Sequence, residues 1–215
     1  MRNIPIIGKF LVILSAFGLF VAGVTAYSTS RISFIDSSYS ALLDEDSAAT
    51  LMLARASRSL VSMRSAIADI LIARTEDAKK AAVADMKLSE GFFTKQMDVA
   101  IAAAPGNARI VSIKTDAIEA LNSKCGGLIT AASAALGEAE VDRTQADFAA
   151  TSRPAFTSVI ADITDEIGKI TTATENRHDV LSEAVESTVL TTILAVVSGL
   201  IVMLIASFFA VRAWI

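Results

Sequence analysis

The sequence predicts an all-α protein, an antiparallel up-down-up-down four-helix bundle continuous with two transmembrane helices. Three observations carry this expectation. Long uncharged stretches lie at both ends of the chain, the apolar residues between them recur at helical spacing, and only Pro105 and Pro154 interrupt that middle. With 53% hydrophobic residues and a mean hydropathy of +0.55, the 215-residue chain is too apolar for an ordinary water-soluble domain.

The first element is a span at residues 10–30, which carries no charge and is long enough to cross about 30 Å of hydrocarbon at about 1.5 Å per residue. The uncharged run 187–211 does the same near the C-terminus, giving a second span at 188–211. Lys and Arg are retained on the cytoplasmic side of a membrane. Arg2 and Lys9 precede the first span and Arg212 follows the second, so both termini are expected in the cytoplasm, with residues 1–9 as a stub. Of the 19 basic residues those three lie outside 31–187 and 16 inside it, with all 23 acidic residues; the ends carry +3 and the middle −7. The acidic middle, 31–187, is therefore expected to be the translocated part. Val24, Thr25 and Ala26 offer small residues to a signal peptidase, but the apolar run exceeds the roughly 7–15 residues of a signal h-region. An uncleaved anchor is therefore expected. The single Cys125 forms no internal disulfide, so helix packing must hold the fold.

In the first helix of the middle, Ile35, Tyr39, Leu42, Ala49, Leu53, Ala56, Leu60, Met63, Ile67 and Ile70 follow a 3-4 repeat broken only at Asp46. A second helix is expected from about 76 to 104, with Val83, Met86, Phe93, Met97 and Ala100 inside and Thr75 as N-cap. Pro105, Gly106 and Asn107 form a turn. A third helix runs from about 108 to 136 on Ile110, Ile113, Ala117, Leu121 and Leu128, with Gly126 and Gly127 as a point of interruption. Residues 138–145 are polar and read as a loop. The last helix, on Phe156, Ile160, Ile163, Ile167, Ile170, Thr174, Arg177, Leu181 and Ala184, runs into the second span, with Pro154 in its first turn or kinking a longer helix.

No enzyme is expected. No Gly-rich phosphate loop follows a strand, no Cys and His cluster has metal spacing, and His178 has no catalytic partner in the sequence. No cofactor, metal or nucleic-acid partner is expected either. Asp46 and Arg177 fall in the apolar stripes, where a charge needs a partner.

The order of elements ends in Val211, Arg212, Ala213, Trp214 and Ile215. With Leu51, Met52 and Leu53 leading into the arginine-bearing stretch 55–64, and Asp147, Phe148, Ala149, Ala150, Thr151 and Ser152 opening the last helix, it resembles the input half of a methyl-accepting chemotaxis protein. The resemblance implies a homodimeric receptor in the bacterial inner membrane. It would sense a small molecule, such as a carboxylate, directly or through a periplasmic binding protein, and 212–215 would begin a HAMP-like linker to a chemotaxis signalling domain. The same module also serves histidine kinases and cyclases, and a stand-alone membrane-anchored interaction protein is the reading from another class.

Receptors of this type hold carboxylates with arginines of the first helix, whose guanidinium forks match carboxylate oxygens. Arg55, Arg58 and Arg64 are the candidates, although their spacing of 3 and then 6 departs from the 5-then-4 spacing of aspartate receptors and leaves amino-acid specificity open. A solvated arginine face is the alternative. Matching levels on the first and last helices puts Arg64 beside Thr151, Ser152 and Arg153, where a helix start would add free N–H groups and a positive dipole end.

Overall fold

The computed structural model describes residues 6–135 and 137–212. Most of the expected stub at 1–9 and of the linker at 212–215, and the expected third-helix end at Leu136, lie outside the described residues. The fold is all-helical, without a strand among the described residues. Among the described residues seven α-helices follow one another: α1 (Ile6–Ala41), α2 (Ser47–Ile72), α3 (Glu76–Ala103), α4 (Ala108–Ala120), α5 (Gly126–Ala134), α6 (Glu138–Asp147) and α7 (Arg153–Arg212). Wider π turns at Leu42–Asp46, Leu121–Cys125 and Phe148–Ser152 join α1 to α2, α4 to α5 and α6 to α7, so the described residues make four helical rods. These divide into two compact units, one of residues 41–175 and one of the terminal arms, 1–40 and 176–215.

In the 41–175 unit the expected stripe of α2 is the core. Leu42, Ala49, Leu53, Ala56, Leu60, Met63, Ile67 and Ile70 are all buried, each larger side chain contributing about 1.5–3 kcal/mol of burial. Met86, Phe93, Met97 and Ala100 of α3, Ile110, Ile113 and Ala117 of α4 and Phe156, Val159, Ile163 and Ile170 of α7 join it, while Val83 and Leu128 are half-buried at its margin. α2 and α3 pack against each other, and between them Ser59 Oγ donates to Gln96 Oε1 at 2.8 Å. Thr75 caps α3 as its sequence position requires, its Oγ1 accepting the Ala78 N–H at 3.3 Å. At the Pro105 turn Asn107 caps α4, its Oδ1 accepting the N–H groups of Arg109 (3.0 Å) and Ile110 (3.4 Å).

Two sequence expectations change here. The polar run 138–145 is the helix α6 rather than a loop: Glu138 and Glu140 lie in its first turn, where acids suit the dipole, and Val141, Thr144 and Phe148 bury one face. The last rod accordingly starts at Glu138, not near Thr151, and Pro154 lies inside it. A proline ring clashes with the carbonyl four residues back and lacks an N–H, and the π turn Phe148–Ser152 supplies the extra room at that place.

In the unit of the terminal arms, Ser28 and Thr192 share a hydrogen bond between hydroxyls at 3.3 Å. Gly199 meets the Phe20 ring so closely that a Cβ there would come within 2.3 Å of the ring's far end. His178 is exposed and stacks edge-on against Tyr39, with ring centroids 6.0 Å apart. Leu19, Leu14, Leu204, Ile205, Phe208 and Phe209 stand exposed, Leu19 at 76%.

Candidate functional site

The six residues singled out in the sequence differ in exposure and in partners. Arg55 and Arg58 are exposed on α2, and Arg64 is half-buried one to two turns further on. Thr151 is exposed, and its Oγ1 donates back to the Asp147 carbonyl at 2.6 Å. Arg153 is exposed at the start of α7. Ser152 is 0% exposed, so its hydroxyl faces no external ligand; it donates instead to the Lys124 carbonyl at 2.9 Å. Among the described residues no hydrogen bond or ion pair links the three arginines to Thr151, Ser152 or Arg153.

The expected free N–H groups at 151–153 are absent for a backbone reason: Asp147 and Arg153, on either side of the π turn, keep right-handed helical dihedrals, so the rod is continuous there. The start of that rod is at Gly137, whose extended backbone (φ −82°, ψ 147°) precedes α6.

Close to Ser152 lies Cys125, wholly buried. Burial pushes its thiol above the usual value, with the Ser152 hydrogen bond opposing this to a lesser degree. Thus the π turns of two rods meet at one buried polar contact.

Two further polar positions escaped the sequence reading. Lys79 is 3% exposed and its ammonium donates to the carbonyls of Ala132 (2.7 Å) and Ala135, the unpaired end of α5. Its signal was present: 79, 83, 86, 90, 93, 97 and 100 continue the apolar 4-3 stripe of α3. Glu166 is 5% exposed on α7 and accepts from Asn107 Nδ2 at 2.6 Å, while the neighbouring Asp162 accepts from Arg109 at 2.8 Å. Nothing in the run Asp165, Glu166, Gly168, Lys169 distinguishes Glu166 from a solvated acid; the signal lies in Asn107, an N-cap residue after a Pro-Gly turn.

Surface grooves of about 810, 440 and 580 Å³ lie on α3, between α3 and α5, and on α4 with its π turn; none of the six expected residues lines them. Among the described residues no group of His, Cys, Asp and Glu is large enough to hold a metal ion. Among the described residues two helices, one running through 11–72 and one through 138–209, are long and apolar enough to cross a membrane, and none of their most apolar stretch is buried within the fold. No protein-family model, curated protein or solved structure matches the chain.

Proposed function

We propose that this chain is the input module of a transmembrane receptor of the chemoreceptor type, with the unit 41–175 outside the cytoplasmic membrane and both termini in the cytoplasm. The observation that carries the reading is α7. One helix contributes Phe156, Val159, Ile163 and Ile170 to the core and also holds the exposed apolar run containing Leu194, Leu200, Leu204 and Phe208. Each such side chain left in water forgoes about 1.5–3 kcal/mol of burial, which lipid supplies. A displacement of about 1–2 Å in the core-packed part of such a helix is a known kind of signal.

The polar ties between rods support an up-down-up-down bundle. From Asn107 with Glu166, through Arg109 with Asp162, to Lys124 with Ser152, numbers rise on one rod and fall on the other. Lys79 with Ala132 and Asp98 with Lys114 behave likewise, and Asp46 accepts from Thr174 Oγ1 at 3.2 Å. Opposed numbering of this sort is what antiparallel neighbours produce.

A homodimer is part of the proposal. The exposed positions Leu51, Arg55, Arg58, Ser62, Ser65, Asp69 and Ile72 make a second heptad stripe on α2, opposite its core stripe. Two copies meeting there would bring arginines together, and a carboxylate between them offsets that like-charge repulsion. The test is impermeant maleimide labelling of cells carrying the full chain with Cys125→Ala. Gly106→Cys should label from outside and Asn3→Cys only after permeabilisation; the opposite pattern sinks the topology.

A further inference from the structure

The carboxylate of Glu166 stands at a place in α7 where an apolar residue would be expected, between Ile163 and Ile170, both in the core. A carboxylate there needs a partner, and it has a neutral one: Asn107 Nδ2, at 2.6 Å. The Arg109 guanidinium is engaged by Asp162 at 2.8 Å, and the Lys169 ammonium, which also acts on Glu166 through charge, is engaged by Asp165 at 2.6 Å. Asn107 therefore does two things with one side chain. Its oxygen caps α4 through Arg109 and Ile110, and its nitrogen holds α7.

Apolar contacts such as those of Phe156, Val159 and Ile163 are non-directional and tolerate small slides, whereas a hydrogen bond is lost beyond about 3.2–3.5 Å. A slide of α7 by about 2 Å along its axis carries a contact of this length to that limit. We infer that the Pro105 turn is a latch: Asn107, clamped by its own capping bonds, fixes the axial register of α7 through Glu166 and Arg109 through Asp162, and α7 shifts only when this contact opens. The inference stands apart from the receptor reading, because it concerns the motion of α7 whether or not the chain senses a ligand.

The two functions of Asn107 can be separated by substitution. Aspartate caps a helix as well as asparagine does, but it sets a carboxylate against Glu166 in place of a donor. The experiment is hydrogen exchange followed by mass spectrometry on the full chain in lipid nanodiscs. Asn107→Asp should raise exchange at least tenfold in α7 peptides covering 156–170 and leave α4 peptides covering 108–117 unchanged. Adding Glu166→Gln, whose amide can donate to the introduced carboxylate, should return α7 to within about threefold of wild type. Asn107→Ser, neutral and still a cap but too short to reach Glu166, gives the same α7 response should the aspartate variant not fold. Exchange in α7 unchanged within twofold in both single variants overturns the latch. So does a rise confined to α4, or a double variant as fast as Asn107→Asp alone.

Discussion

Cys125 and Lys79 show what burial does to single ionisable groups in this fold. The Cys125 thiol sits at 0% exposure, and its ionisation is pushed above the ordinary thiol value of 9.0 chiefly by burial. An acid whose folded ionisation is raised keeps its proton in the folded state while the unfolded chain loses it. Its contribution to stability is therefore complete below about pH 9 and falls as pH rises beyond it. Urea melts of the full chain should show a stability decline above pH 9 that is shallower in Cys125→Ala; identical slopes would show the thiol is not held neutral. Lys79 caps two carbonyls at the end of α5, and Lys79→Met keeps the stem but leaves both unpaired. A loss of about 1–3 kcal/mol is expected from denaturant midpoints, and no loss would place those carbonyls in water. At this scale the sequence was legible only through period. The 4-3 stripe passes through Lys79, but a polar residue in a stripe is read as solvent-facing until its partner is known, and the partners here are main-chain carbonyls that no residue type announces.

Elements were read more fully than residues, because a helix buries every third or fourth residue whatever its neighbours are. The α2 stripe, the Thr75 cap and the Pro105 turn all follow from local chemistry. The π turns did not: each adds a single residue to a turn, too little to disturb a 3-4 repeat, and only Asp46, Gly126 and Pro154 mark their places. The loop expected at 138–145 failed for a related reason, since a short helix with one buried face at Val141 and Thr144 is mostly polar in composition. A prediction belongs to the pairing of the terminal arms. Ser28 and Thr192 hydroxyls lie 3.3 Å apart, so Ser28→Cys with Thr192→Cys, in a Cys125→Ala background, should oxidise to a disulfide in membranes. Gly199→Leu forces atoms into the Phe20 ring and should reduce that cross-link at least threefold, with Phe20→Ala restoring it. An unchanged yield in Gly199→Leu would mean that the arms do not depend on this close approach.

For the whole molecule, charge distribution made the two apolar arms and the acidic middle legible. The candidate ligand site was not, because arginines on an exposed helix face look the same with a solvent partner as with a second subunit. Arg55 and Arg58 lie on the exposed stripe of α2, whereas Arg64 is half-buried beside it and Ser152 belongs to the core. In the proposed dimer Ser62→Cys or Ser65→Cys, without Cys125, should cross-link in vesicles. Ala56→Cys, at a wholly buried position facing the protomer's own core, should not. Equal yields at all three positions would mean random collision. Ligand recognition then separates the arginines. Titration calorimetry of the full chain in nanodiscs with a panel of small carboxylates should find one whose affinity falls at least tenfold, about 1.4 kcal/mol, in Arg58→Ala. Arg64→Ala should lower it less, since that guanidinium lies off the stripe where two copies would meet. If a carboxylate binds and Arg55→Ala and Arg58→Ala each leave its affinity within about twofold, the exposed arginines are a solvated face and the ligand is held elsewhere in the bundle.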